Sequence, residues 1–483
     1  MSDTAVYGLG TMIPRLLNYG VLTPYYTRKF LQADYGVITE LYAYVVVLQV
    51  VLTYGMETGY FRFSIDKSKE NSVYSTIILA LLISSIAFIL LISLFAAPIA
   101  NFLDYSKHKE YIIWFAWIIA LDAFTSVPFA KLRRENKAFR FSMIKIANVV
   151  VSILAVFFFY EFLPYIKGTA RVSDVRYVFI ANLIGSSLTL ILLWKEIFQA
   201  KFNFNKLLFK TLLIYSIPLL IGGLSGSINE ALDRILLKHL LPSSVNAMAQ
   251  LGIYGANYKL AVFMTLFIQM FRYAADPFFF ANMNNLDAKS LYARVMNYFV
   301  LFCSLIFLGI MVNIDIAKYF IGKEFREGLN IVPIVLMANL LLGVYLNLSV
   351  WYKLNNKTIY GAIFMGVGAI LTILLNIILV PVMGYTGAAW THLFVYILMV
   401  GISYYYGQKQ YSVPYNVKRL LIYIAIPVAL VILLKFIVGG TTLLKLIIGN
   451  LFFLSFLLYA IKQENILNEI KLKIKNPWSK SKL

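Results

Sequence analysis

AVYGLGTMIPRLLNYGVLTPYYTRKFLQADYGVITELYAYVVVLQVVLTYGMETGYFRF, residues Ala5 to Phe63, contains two apolar runs that each bury ionisable groups and are each long enough to cross a bilayer. The first, about residues 5–26, holds Arg15 and the prolines Pro14 and Pro24. The second, about residues 37–60, holds Glu40 and Glu57 and ends at Arg62. A spanning helix needs about 20 apolar residues, which puts Arg15 near the middle of its span, too deep to snorkel easily. A charge at that depth is costly and marks a functional position when it faces a cavity or a partner instead of lipid. Proline interrupts the helical hydrogen-bond ladder, and membranes tolerate this where neighbours or cavity water satisfy the freed carbonyls. The reading is of bent helices around a wet cavity.

The rest of the chain repeats the design. A 483-residue sequence that is 61% hydrophobic and only 13% charged, with mean hydropathy +0.77, describes a polytopic membrane protein. The N-terminus lacks a basic segment and a small-residue cleavage site, so the first run is expected to be a retained span and not a cleaved signal. The single cysteine, Cys303, rules out a disulfide framework and a cysteine metal site. The formal charge of +21 could suggest nucleic acid, but the basic residues sit in short connections between apolar runs, where membrane topology accounts for them.

The apolar runs fall at about 5–26, 37–61, 74–98, 111–129, 141–160, 177–194, 211–232, 252–271, 296–314, 331–351, 361–380, 386–406, 420–437 and 442–461, which makes fourteen spans. They are continuously apolar and do not alternate, so helices are expected and strands are not. With the N-terminus inside, the inner connections and the tail from Lys462 carry 26 lysines and arginines and the outer connections carry 12. Both termini are therefore expected to be cytoplasmic. A weak repeat at an offset of 216 residues aligns ADYGVITELYAY (Ala33–Tyr44) with AQLGIYGANYKL (Ala249–Leu260), matching Gly36 to Gly252 and Tyr42 to Tyr258. Each copy opens the second span of a six-span half, a plan used by transporters with repeated halves. The expected domains are a six-helix lobe over 1–200, a second over 201–410, and two further helices with a basic tail over 411–483.

The segments YGLGTMIPRLLNY, ADYGVITELYAY, YGMETGYFRF, PFAKLRRENKAFRFS, NEALDRILLKHLL, LGIYGANYKLA and FRYAADPFF resemble the lipid-linked oligosaccharide flippases (Wzx-type) of the multidrug/oligosaccharidyl-lipid/polysaccharide exporter superfamily. The likeness runs in order from about Ala5 to Tyr406. It implies an all-α, MATE-like transporter of two six-helix lobes plus two helices. Such a protein would turn undecaprenyl-diphosphate-linked sugar units, O-antigen or another surface polysaccharide, across a bacterial inner membrane. Its expected partners are the lipid-linked oligosaccharide, membrane lipids, and polysaccharide polymerase and assembly proteins.

An anionic substrate also follows from the cations within or bordering the spans: Arg15, Arg28, Arg62, Arg234, Lys238, Lys259 and Arg272. Guanidinium forks match phosphate oxygens. Arg28, Arg62 and Arg272 stand at span ends, where snorkelling is an equal reading. Arg234 could simply pair with Glu230 one turn earlier. Arg15 and Lys259 are the deepest cavity candidates. Glu40, Glu57, Asp122, Glu230 and Asp233 are candidates for ion coupling or for counter-ions, with Asp122 set either to pair with Arg15 or to bind a proton. His392 reads as a packing residue. Tyr42, Tyr254 and Tyr258 could stack on sugars.

Enzymatic readings find little support, since there is no long outer loop, no P-loop and no metal-ligand cluster. No cofactor is called for. A cation-coupled multidrug exporter and a flippase for the peptidoglycan precursor are the rival readings. The first should show net acidic cavity spans, and the second shares the lipid diphosphate.

Overall fold

The computed structural model describes residues 3–168, 174–201, 203–355, 357–437 and 442–464, and among them every regular element is helical. All fourteen apolar runs are helices. They are α1 (residues 3–29), α2 (Gln32–Phe63), α3 (Glu70–Leu94), α4 (Lys109–Arg134), α5 (Ala138–Ile166), α6 (Arg176–Leu192) and α7 (Lys206–Leu240). The second seven are α8 (Ala247–Ala281), α9 (Ala288–Val312), α10 (Lys323–Leu354), α11 (Ile359–Met383), α12 (Tyr385–Gln410), α13 (Val417–Ile437) and α14 (Thr442–Gln463). Twelve of these are long and apolar enough to cross a membrane. In α1, Arg15, Asn18, Arg28 and Lys29 dilute the hydropathy, and α6 is 17 residues long. The basic tail beyond Glu464 lies outside the described residues.

The chain groups into two compact units, each discontinuous in sequence. The first runs up to Lys259 and adds Ile321–Ile331 and Lys357–Met399. Its core is built where α2, α3, α4 and α7 meet, from Met56, Tyr60, Val73, Tyr74, Ile77, Leu81, Val127 and Leu212. Helix α2 is not one continuous span. It breaks at Tyr54 and Gly55, both in the left-handed region (φ 31° and 73°), where glycine carries no Cβ penalty.

The internal repeat has a spatial meaning in this unit, because its two copies pack against each other, α2 on α8. A Cβ on Gly36 would strike the carbonyl oxygen of Met248, and a Cβ on Gly252 would strike that of Gln32. Met248 stands 216 residues after Gln32, so the contact is the same seen from either copy. Thr39 and Gly255, again one offset apart, also meet there. Two glycines allow the two backbones to touch, and no other residue type would. The 3₁₀ segment Lys323–Ile331 crosses this end of the pair. Gln32 Nε2 donates to the Glu324 carbonyl at 2.6 Å, Asn257 Nδ2 to that of Phe325 at 2.7 Å, and the Gly322 N–H to Thr27 Oγ1 at 3.0 Å.

The second unit comprises Leu260–Phe320, Val332–Asn356 and the chain from Val400 on. Its α9 packs against α10, α13 and α14. Tyr292 donates its hydroxyl to the Phe279 carbonyl at 2.9 Å within a core that includes Ala288 and Val350, and Trp351 is buried with its indole against Gly407.

Candidate functional site

The first unit encloses a cavity of about 370 Å³. Its lining starts on α1, where Pro14 removes one N–H and the helix widens into a π turn over Asn18–Leu22. Such bulges are frequent at functional positions. Here Arg15, Asn18, Tyr19, Leu22, Thr23 and Tyr26 all face the cavity. Helix α2 adds Tyr35, Thr39 and Tyr42, α6 adds Asn182, and α7 adds Glu230 and Arg234. Lys259 closes the set from α8 at the point where the helix tightens into a 3₁₀ turn, Lys259–Ala261.

Three cations and one carboxylate therefore share the space, a net formal charge of +2 from Arg15, Arg234 and Lys259 against Glu230. Lys259 Nζ lies 4.2 Å from the centroid of the Tyr19 ring, and the Arg234 guanidinium lies 4.4 Å from that of Tyr258. Arg234 is not ion-paired with Glu230; a ring face holds it instead, on a helix that continues to Leu240 and so carries Arg234 within the span and not at its end. Tyr258 is backed edge-on by His392 at 6.1 Å, and the Tyr254 hydroxyl donates to Asp233. A ring face orients a cation without neutralising it. The hydroxyls of Tyr26 and Tyr42 are buried and have no hydrogen-bond partner among the described residues. The cavity thus offers fixed positive charge for phosphate oxygens and spare hydroxyls and amides for a polyhydroxylated ligand.

The other residues singled out from the sequence go elsewhere. Glu40 is fully buried, accepts from the Tyr105 hydroxyl and pairs with Lys238 Nζ at 3.3 Å, and Lys238 also reaches Asp104 at 3.4 Å. Glu57 pairs with Arg133, and Asp122 accepts from Ser186 Oγ at 2.8 Å. Arg28 donates to the carbonyl of Pro24 at 2.7 Å in its own helix. Arg62 is exposed in the last turn of α2, and Arg272 is exposed in the second unit. None of these lines the cavity. Asn18, Tyr19, Thr23, Tyr26, Tyr35, Thr39 and Asn182 line it without having been singled out. On α1 the signal was there to read, since 15, 18, 19, 22, 23 and 26 follow the spacing of one helix face.

A multi-pass helical protein with a basic, tyrosine-walled cavity has the build of a membrane protein that holds a ligand between its helices. The comparisons with known proteins narrow the class. Residues 1–283 match the polysaccharide biosynthesis protein family, and the chain belongs to that family. It is 21% identical over 335 residues to Lsg locus putative protein 1 of Haemophilus influenzae, covering 67% of this chain and 77% of that one. Its fold is that of the lipid II flippase MurJ in an inward closed conformation (TM-score 0.73, 14% identity, 95% of this chain and 99% of that one). It is also that of a MATE family multidrug resistance transporter of the MOP superfamily in its inward-facing conformation (TM-score 0.67, 12% identity, 84% and 97%). Family and fold make this chain a multi-pass helical member of the polysaccharide biosynthesis protein family with the fold of MurJ and MATE proteins.

Proposed function

We propose that the protein flips a diphosphate-linked oligosaccharide lipid, an O-antigen or other surface polysaccharide repeat unit, across the bacterial inner membrane by alternating access, with both termini cytoplasmic. The observation that carries this reading is the convergence of Arg15, Arg234 and Lys259 on one cavity with a single opposing carboxylate, Glu230. A lipid diphosphate must take its charge through a region where an isolated charge is costly, and these residues offer it fixed partners on the way. The unpartnered tyrosine hydroxyls suit the sugars. The Gly36/Gly252 seam, with Lys323–Ile331 across it, closes one end of α2 and α8 and is the natural gate. Access alternates as that seam parts and re-forms. No step in this cycle makes or breaks a covalent bond, so the protein acts as a carrier and not an enzyme, and polysaccharide polymerase and assembly proteins receive its product.

A cation-coupled drug exporter fits less well, because a cavity of net positive charge repels cationic drugs. A peptidoglycan-precursor flippase is the second reading, favoured by the fold shared with the lipid II flippase. Deletion of the gene followed by analysis of accumulated lipids separates the two. Accumulation of a lipid-linked polysaccharide repeat unit supports the proposal, and accumulation of the peptidoglycan precursor replaces it. Orientation is tested with single cysteines labelled by an impermeant reagent in spheroplasts: Lys107→Cys should react and Asn136→Cys should not.

A further inference from the structure

We propose that the second unit carries, at its basic end, a binding site for the headgroup of an anionic phospholipid. The site is a cavity of about 310 Å³ apart from the transport cavity, lined by the first turns of α9 (Ser290, Arg294, Asn297), by Arg419 in the first turn of α13, and by Gln463 and Glu464 at the end of α14.

Its charged groups divide into a fixed wall and a free arm. Arg419 is committed, with Nη1 3.3 Å from Glu464 Oε1 and Nη2 donating to the Gln463 carbonyl at 3.2 Å, and Glu464 also accepts from the Tyr423 hydroxyl. Arg294 is exposed and has no ion pair or hydrogen bond among the described residues. Lys418 and Lys462 stand exposed beside Arg419 and Gln463 in the chain. Basic pockets between spanning helices at a membrane surface are sites for anionic headgroups.

Asn297 adds a donor. It is 8% exposed and lines the cavity, and its Oδ1 is enclosed, so the amide edge open to the cavity is Nδ2. Phosphate oxygens accept and Nδ2 donates. A headgroup that fits carries an anion for Arg294 and phosphate oxygens for Asn297. An ammonium at the same place would meet the surrounding cations. The same helices turn Leu421 (60% exposed) and Leu458 (66%) outward close to the cavity, which offers the acyl chains an apolar path and favours a lipid over a free phosphate.

The test titrates the purified full chain in detergent with phosphatidylglycerol, phosphatidylmethanol, phosphatidylcholine and soluble glycerol-1-phosphate, counting bound molecules by native mass spectrometry. Phosphatidylglycerol and phosphatidylmethanol should both bind more tightly than phosphatidylcholine. Arg294→Ala should weaken both about fivefold, whereas Lys67→Ala, exposed in the first unit, should not. Asn297→Leu should also weaken both anionic lipids about fivefold. Equal binding by wild type and Arg294→Ala, equal binding of phosphatidylglycerol and phosphatidylcholine, or glycerol-1-phosphate binding as tightly as the lipid would each overturn the proposal. Should Asn297→Leu fail to insert, the exposed Arg294 variant carries the test alone. None of these readouts depends on transport, so they stand or fall separately from the flippase reading.

Discussion

Lys238 and Lys259 stand on adjacent helices of the first unit, and their surroundings treat their charges in opposite ways. Lys238 is neutralised by the buried Glu40 at 3.3 Å, by Asp104, and by the Leu103 carbonyl at 2.5 Å. Lys259 faces the Tyr19 ring and open cavity. The same division runs through the arginines. Arg133 pairs with Glu57, Arg134 with Glu70 at 3.0 Å and Arg140 with Glu196 at 2.9 Å, whereas Arg234 rests on Tyr258. A paired cation holds helices in register and has no charge left for a substrate. A cation held by a ring keeps its full charge for an incoming anion, and the contact itself is worth only about 0.5–2 kcal/mol. Counting basic residues in the spans therefore overstates the binding site, and the partner of each cation decides its role.

The largest test of this contrast is Arg15→Ala combined with Lys259→Ala. Loss of two charge-assisted contacts, about 1.5–3 kcal/mol each, should reduce export by about a hundredfold or more at unchanged protein level. Arg15→Lys should keep part of the export, because it preserves charge but loses the fork. Normal export in the double variant would mean that cavity cations are structural like the others.

Lys238→Met should act on the other side of the comparison. It strands Glu40 in the interior and should cost about 3–5 kcal/mol of stability, read as an earlier thermal unfolding transition. Adding Glu40→Gln should recover much of that loss. If the double variant is no better than the single, the pair is not the reason for the cost.

Gly252→Ala probes the seam. Forcing a methyl against the Gln32 carbonyl should cost about 1–3 kcal/mol of overpacking, again seen in thermal unfolding, while Gly222→Ala, which meets nothing within 4 Å, should not. At the smaller end, Tyr19→Phe keeps the ring under Lys259 and should leave export within about twofold, whereas Tyr19→Leu should lower it about fivefold.

The smallest effect concerns Asp174, in the connection before α6. Burial works against its ionised form, but the backbone N–H and guanidinium of Arg176 outweigh this and hold its carboxyl below the ordinary 3.8. A depressed carboxyl stabilises the fold above its unfolded value and loses that stabilisation as pH falls through the folded one. An acid unfolding series below about pH 4 should therefore show a shallower decline for Asp174→Asn than for the wild type.

The sequence by itself determined the spans, because about twenty consecutive apolar residues have one stable form in a bilayer. It also singled out Arg15 and Lys259 by depth alone, and both line the cavity, and it pointed to the repeat whose glycines meet in the fold. Which ionisable groups cancel one another was decided only by the tertiary structure. Glu40 and Lys238 are separated by nearly two hundred residues, and Glu57 and Arg133 by 76. Nothing in the local pattern distinguishes them from the cavity set. A pairwise contact between distant segments sets each charge's environment, and one-dimensional periodicity carries no record of it. The ends of α7 and the break at Gly55 were likewise hidden, because hydropathy marks where a helix must be apolar and not where a polar turn continues or interrupts it.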